Sequence, residues 1–377
     1  MEQSRTDARP SLLAAFLEGF GNPDDAGGGF FDTLAAQAGR IERYRAVQIG
    51  RRLCSGAASF DEMTELPKGL RENLAAAYTL RETAVANLLT AEDGTVKLQI
   101  RLPDGAFVEA VLLAGSDGRR TACVSTQAGC PAGCVFCKTG SIGFRRNLRA
   151  SEMAEQFFHL RDAAASGASG LAAISNIVVM GMGEPLLNLE ELRKALFFLE
   201  KTGEDGRFSL RRVTVSTSGI VEGIRALPDK LSGVRLAVSI TTADEELRQR
   251  LMPVTRANPL SALKDALVYY QGREKKRVTL EAVLLGGVNT REKDAAALAA
   301  FAQGLPVIVN LIPWNPVDGL FFDGKPLREP SVAETERFAA MLRACGLKTE
   351  LRRRKGRGVC GACGQLGSAG AETPESG

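Results

Sequence analysis

Beyond Thr121 the chain repeats one unit. A short run of β-branched and apolar residues comes first. A polar stretch follows, and then a segment whose apolar residues recur every three or four positions. The apolar runs lie at 121–126, 176–180 (NIVVM), 211–217 (RRVTVST), 234–240 (VRLAVSI), 277–285 (RVTLEAVLL) and 306–312 (PVIVNLI), and predict six strands. Helical spacing is found near 150–165, 189–201, 243–251, 259–271 and 291–303, with a last helix over 332–345 leading into KTELRRR. Strands apolar on both faces, each followed by a helix, argue for a parallel sheet covered by helices. The expected fold is α/β, a partial (β/α)6 barrel, although a doubly wound sheet has the same local pattern. In the barrel version chemistry sits on the loops after strand ends.

Upstream the period changes. VKLQIRL and AFVEAVLL alternate around PDG and read as a β-hairpin. From Phe31 to about Leu89 the spacing is helical, with Ser59 and Glu62 at capping-box separation. Residues 1–30 are hard to assign, and NPDDAGGG reads as a loop. The expected organisation is a helical accessory part at 1–92 that binds RNA, a hairpin extension at 93–120, the barrel at 121–350 and a terminal segment at 351–377.

Composition narrows the classes. Of 377 residues 45% are apolar, enough for a sizeable core, and no run reaches the length needed to span a bilayer. The polar start MEQSRTDARP is unlike a signal peptide, so a cytoplasmic location without membrane association is expected. In a reducing compartment the eight cysteines read as metal ligands or reactive thiols. The single histidine, His159, lies in a helical pattern and excludes a His-rich metal site. Net charge is only +4, but basic residues crowd into FRRNLR, GREKKR and LRRRKGRG, runs that either attract phosphates or form solvated faces.

GCPAGCVFC places Cys130, Cys134 and Cys137 in one short loop after the first barrel strand. Three thiolates on a four-iron cluster leave one iron open to a small chelating molecule. A structural zinc site would want a fourth ligand, for which Cys360 and Cys363 are available. GMGEP follows the second strand and, alone, could be a turn. Cys54 and Cys345 lie in helical patterns and read as buried, inert thiols, whereas Cys363 sits in a Gly-rich tail that reads as exposed.

The C-x3-C-x2-C spacing, with Phe136 before the last cysteine, resembles the radical S-adenosylmethionine (SAM) superfamily. The resemblance implies that Cys130, Cys134 and Cys137 ligate a 4Fe–4S cluster whose open iron holds SAM. Glu184 of GMGEP would then meet the SAM ammonium. RYRAVQIGRRL, ACVSTQAGC, GFRRNL, VMGMGEPLLNLEE, VTVSTSGIV, GVNTRE, VNLIPWNP and ACGQL together resemble the RlmN/Cfr RNA adenine methyltransferases over nearly the whole chain.

That narrower resemblance implies methylation of an adenosine in large-subunit (23S) rRNA, with tRNA as a further substrate in some members. Two SAM molecules serve each turnover, one as methyl donor and one as radical source. Cys363 matches the methyl-carrying cysteine. Cys123 matches the cysteine that releases the protein–RNA adduct by forming a disulfide. Glu109 matches the general base. Gly183, Glu184, Ser216, Ser239, Ile240, Thr241 and Asn315 match the SAM contacts. Where the family reads Ser-Leu-His-Ala, this chain has Ser239-Ile240-Thr241-Thr242, so the histidine contact is absent. A one-electron donor such as flavodoxin and a monomeric state are further expectations. Methylation at C2 is favoured. C8 methylation, the antibiotic-resistance activity of Cfr-type members, remains open, as do a radical SAM enzyme acting on a small molecule and a non-catalytic iron–sulfur or zinc RNA-binding protein.

Overall fold

The computed structural model describes residues 9–18, 34, 41–115, 118–166, 174–200, 209–352 and 357–367. The NPDDAGGG loop and Arg353, Arg354 and Lys355 of the last basic run lie outside the described residues.

The strands, in chain order, are β1 (Ala84–Thr90), β2 (Val96–Arg101), β3 (Phe107–Ala114), β4 (Arg120–Cys123), β5 (Gln127–Gly129), β6 (Phe144–Asn147), β7 (Ile174–Val179), β8 (Val213–Thr217), β9 (Arg235–Ser239), β10 (Val278–Leu284), β11 (Val307–Pro313), β12 (Phe321–Phe322), β13 (Lys325–Pro326) and β14 (Thr349–Leu351). Ten of them form one sheet in the order β1-β2-β3-β4-β7-β8-β9-β10-β11-β14. The pairs from β4 through β7, β8, β9, β10 and β11 to β14 are all parallel, so the six expected barrel strands are present and consecutive. The β2–β3 hairpin joins antiparallel through β3 and β4, with Val111 opposite Cys123.

Four features differ from the sequence expectation. Residues 84–90 form a strand, not the end of a helix. Leu88 pairs with Leu98 on β2, a strand buried over most of its length whose outer backbone groups need a partner. Val221–Lys230 is a helix, hidden in the sequence by Pro228 inside it. Its buried Ile224 and Leu227 hold it in place. β14 adds a seventh parallel strand beyond the last long helix, Val332–Ala344. The Ser59–Glu62 pair heads only a short 3-10 turn, Phe60–Glu62, and the helix proper begins at Lys68.

One continuous apolar core runs from the N-terminal helices through the sheet. Phe16 of helix Leu12–Glu18 meets Phe198 edge-on at 5.9 Å, and Phe198 meets Phe158 of helix Ala150–Ser166 at 6.0 Å. Arg161 of that second helix donates to the carbonyls of Ser55 and Gly56, both at 2.6 Å. Those carbonyls end helix Arg43–Ser55 and have no partner within it, and Gly56 O also accepts from Arg81 Nη2 at 3.3 Å, so the barrel caps an N-terminal helix. A smaller apolar cluster of Phe136, Leu251, Met252 and Trp314 lies under the cysteine loop. Among the described residues no helix is long and apolar enough to cross a membrane.

Candidate active site

The cysteine loop is closed by a small ribbon. β5 and β6 pair antiparallel and bring Gly129 and Phe144 together on either side of Cys130–Cys137. Gly129 has φ +77°, and a Cβ there would lie 1.8 Å from the carbonyl oxygen of Gly143. Only glycine fits. Inside the loop the Cys130 N–H donates to Gly143 O at 3.0 Å and the Cys137 N–H to Cys134 O at 3.1 Å. The loop is tied outward by Val135 N–H to Leu251 O and by the Trp314 indole N–H to Phe136 O, at 3.0 and 2.8 Å.

Cys130, Cys134 and Cys137 line one wall of a cavity of about 160 Å3. Among the described residues no group of three Cys, His, Asp or Glu is arranged to hold a single metal ion. Burial raises all three thiols, Cys130 to about 12. The neighbouring thiolates raise Cys134 further, and Glu184 and Cys137 do the same to Cys130. As thiolates these three soft donors would sit crowded beside a carboxylate, a set that suits a cationic occupant and fits an iron–sulfur cluster.

The rest of the lining comes largely from strand ends. Gly181, Gly183, Glu184, Ser216, Ser239 and Asn315 all line the same cavity. Gly183 has φ +101° and stands against Gln127, where a Cβ would approach the side chain to 2.6 Å. Gln127 Oε1 accepts from the Glu184 N–H at 2.7 Å, which ties the GMGEP turn to β5. The Glu184 carboxylate accepts from Thr217 Oγ1, Ser218 N and Ser218 Oγ, each at 2.7 Å, and from Leu186 N at 3.1 Å. Burial nevertheless pushes its carboxyl up.

Arg248 organises the next layer. It is wholly buried and donates to Ser218 O at 2.7 Å, Ser239 O and Ile240 O at 3.2 Å, and Thr255 Oγ1 at 2.6 Å. Burial lowers it to about 10, and the charge of Cys134 works in the opposite direction. Ile240 and Thr241 are buried but line neither this cavity nor the one below. Thr241 has φ +56°, and its hydroxyl has no hydrogen-bond partner.

A second cavity, of about 450 Å3, adjoins the first and draws on Thr121, Asn176, Thr214 and Arg235 near the starts of β4, β7, β8 and β9. Cys123 lines it, buried on β4, where burial pushes its thiol up to about 12. Cys363 and Asn315 line both cavities. The tail that carries Cys363 is half-buried, not exposed as the sequence suggested, because its backbone is pinned. Asn315 Nδ2 donates to Cys363 O at 3.0 Å, Lys138 N to Gly364 O at 2.9 Å, and Thr139 Oγ1 to Leu366 O at 2.7 Å. Glu109 lies off both walls. It is buried, paired with Lys97 at 3.2 Å, and accepts from the Gly367 N–H at 2.8 Å.

Cys360 is exposed at φ +46°. Cys345 is exposed rather than buried, and Cys54 is half-buried. The basic runs are more internally engaged than their sequence implies. Arg146 pairs with Asp104 and Glu152, Arg149 with Glu82, Arg273 with Asp229, and Lys276 with Glu274. Arg248, and Glu281 of β10 which also lines the smaller cavity, had no readable signal, since EELRQRL looks like an ordinary charged helix and Glu281 sits in an apolar strand.

The sequence profile of the radical SAM superfamily matches residues 124–299. A crystal structure of a radical SAM methyltransferase from Sphaerobacter thermophilus superposes with a TM-score of 0.84 and 38% identity, covering 95% of this chain and 99% of that one. A Treponema denticola protein named "Probable dual-specificity RNA methyltransferase RlmN" is 47% identical over 92% of this chain and 96% of its own length. The "Dual-specificity RNA methyltransferase RlmN" of Anaeromyxobacter sp. is 42% identical over 87% and 85%. With the loop, the strand-end pocket and the full-length likeness in agreement, the chain belongs to the RlmN family of radical SAM RNA methyltransferases.

Proposed function

We propose that this protein methylates carbon C2 of an adenosine in large-subunit rRNA and, as its relatives' name "dual-specificity" suggests, in tRNA. The observation that carries the reading is the place of Cys363 on the wall shared by two cavities, one lined by three cysteines and the other by Cys123.

Cys130, Cys134 and Cys137 would hold a 4Fe–4S cluster, which when bound supplies the electron that splits SAM into methionine and a hydrogen-abstracting radical. Gly183, Glu184, Ser216, Ser239 and Asn315 would line the SAM site, with Ile240 and Thr241 supporting it from behind. Adenine C2 has no lone pair to attack a methyl sulfonium, so the methyl group passes through the protein. Cys363 takes it from a first SAM as a thioether. After hydrogen is removed from that methyl, its carbon bonds to the base and joins RNA to Cys363. Glu109, held by Lys97 beside the tail, takes the displaced base proton once the tail shifts, and the odd electron left on the adduct would return to the bound cluster. Cys123 then attacks the Cys363 sulfur and releases the product as a disulfide forms. The larger cavity would take the base, with Arg119 and Arg235 at its polar side meeting phosphates. A flavodoxin-like donor would supply the electron.

The reaction is tested by mass spectrometry of nucleosides from rRNA incubated with the reconstituted enzyme. 2-Methyladenosine is expected. 8-Methyladenosine would assign the Cfr-type activity, and unmodified adenosine after SAM cleavage would remove RNA as the substrate.

A further inference from the structure

Cys123 has a difficult task in this scheme. It must attack as a thiolate, yet it is almost completely buried on a central strand. A buried thiolate needs a partner charge. Arg119, Arg235 and Arg352 line the cavity it opens on, and four groups act on the thiol most strongly. The Met180 N–H reaches its sulfur from the end of β7. Cys363 faces it from the terminal segment, Glu281 from β10, and Arg352 from the end of β14. Of these only Arg352 is a cation.

Arg352 lines the larger cavity together with Cys123 and Cys363. Its Nη1 stands 3.8 Å from the Met180 sulfur, at the residue whose N–H meets Cys123. Its own N–H donates to Leu311 O at 2.9 Å, which fixes the backbone. Its contact with Glu281 is loose, a single approach of 3.5 Å. Glu281 is turned elsewhere as well, accepting from Ser216 Oγ at 3.1 Å and Asn310 Nδ2 at 3.4 Å. The guanidinium is therefore held in place without being neutralised by a two-point ion pair. Cys363 raises Arg352 most, then Glu281 and Cys123; once Cys363 is alkylated its sulfur carries no charge, and Cys123 is the thiol left to pair with the guanidinium.

We propose that Arg352 is a positioning residue of the release step, the fixed cation that stabilises the Cys123 thiolate as it attacks the Cys363 sulfur. The inference rests on the reading of Cys123 and Cys363 given above. In the step, Cys123 donates an electron pair to the Cys363 sulfur and the S–S bond forms. The bond from that sulfur to the methylene carbon breaks, and its pair stays on carbon. A proton from water completes the methyl group. The two sulfurs are oxidised and the carbon is reduced, so no outside oxidant is needed. Arg352 belongs to a run that in the sequence reads as an RNA-binding patch, yet its side chain faces inward.

The test uses the full-length enzyme produced in cells, with RNA bound covalently to Cys363 measured by peptide mass spectrometry. Cys123→Ala sets the scale by trapping the adduct. If Cys123→Ala traps none, the underlying assignment of the two cysteines fails, whatever Arg352 does. Given that trap, Arg352→Gln is expected to accumulate adduct several-fold above wild type, and Arg352→Lys to restore release for the most part. A merely structural role would not give the Lys rescue. Glu281→Gln, which removes the competing carboxylate, is expected to release product faster than wild type, a gain that misfolding would not produce. Arg352→Gln without adduct, whether product forms normally or Cys363 is left unmethylated, overturns the proposal. Slower release in Glu281→Gln overturns it independently.

Discussion

Gly129 and Arg248 show two ways in which single residues set this site. At Gly129 the requirement is steric and local, since both its φ and the Gly143 carbonyl exclude a side chain. Gly129→Ala is expected to destabilise the folded chain by about 1 kcal/mol or more and to open the ribbon that closes the cysteine loop. Iron bound per chain after anaerobic reconstitution should fall well below wild type. Full iron loading with unchanged thermal stability would contradict this account. Arg248 acts through charge and hydrogen bonds, gathering carbonyls from the ends of β8 and β9. Leaving those buried acceptors unpaired costs about 1–3 kcal/mol each. Gly129 could be singled out by its place before the first cysteine. Arg248 could not, because nothing in EELRQRL distinguishes the arginine that turns inward from the one that does not.

At the scale of elements, the seam between the N-terminal helices and the barrel carries a buried polar chain. Glu155 of helix Ala150–Ser166 accepts from the N–H groups of Glu82 and Thr83, and the Thr83 hydroxyl lies 2.9 Å from His159 Nε2. Arg81 joins His159 to Asp162. Burial pushes the Glu155 carboxyl up to about 8 and His159 down to about 4. For Glu155 the folded value lies above the unfolded value of 4.5. Between the two, the folded chain keeps a proton that the unfolded chain has released. Its contribution therefore lowers stability as pH rises from 4.5 to 8, with no further change above that. For His159 the sign is reversed. The unfolded imidazole gains a proton below 6.5 and the folded one resists until about 4, so stability also falls as pH drops through that window. Between pH 4.5 and 6.5 the two slopes oppose, so Glu155→Gln is expected to remove most of the decline between pH 6.5 and 8, measured as the urea midpoint. A decline of unchanged size in the variant would show that Glu155 ionises freely.

Across the whole molecule, charge is distributed differently from its order in the sequence. The runs FRRNLR and GREKKR are held largely in ion pairs within the fold. RNA binding should then lean on cations near the larger cavity, such as Arg235. Arg235→Gln is expected to weaken binding of an rRNA stem-loop uniformly across sequences and to reduce the salt slope by about 0.7–0.9. A slope identical to wild type in a fluorescence-anisotropy titration would place the RNA elsewhere on the surface.

The sequence alone determined the features that are local. The strand–helix period, the three-cysteine spacing and the GMGEP turn are all written in neighbouring residues, and local propensity and spacing are readable there. Strand β1 and helix Val221–Lys230 escaped because tertiary partners overrode local signals, β2 in one case and a buried face around Pro228 in the other. Only the tertiary structure decided which side chains meet. Cys123 and Cys363 lie far apart in sequence yet share one cavity, and Arg352 turns inward out of a run that looks solvent-facing. The physical reason is that burial and charge pairing depend on distance in space. That distance is set by the order of strands in the sheet and by where the tail is pinned, and no segment encodes it by itself.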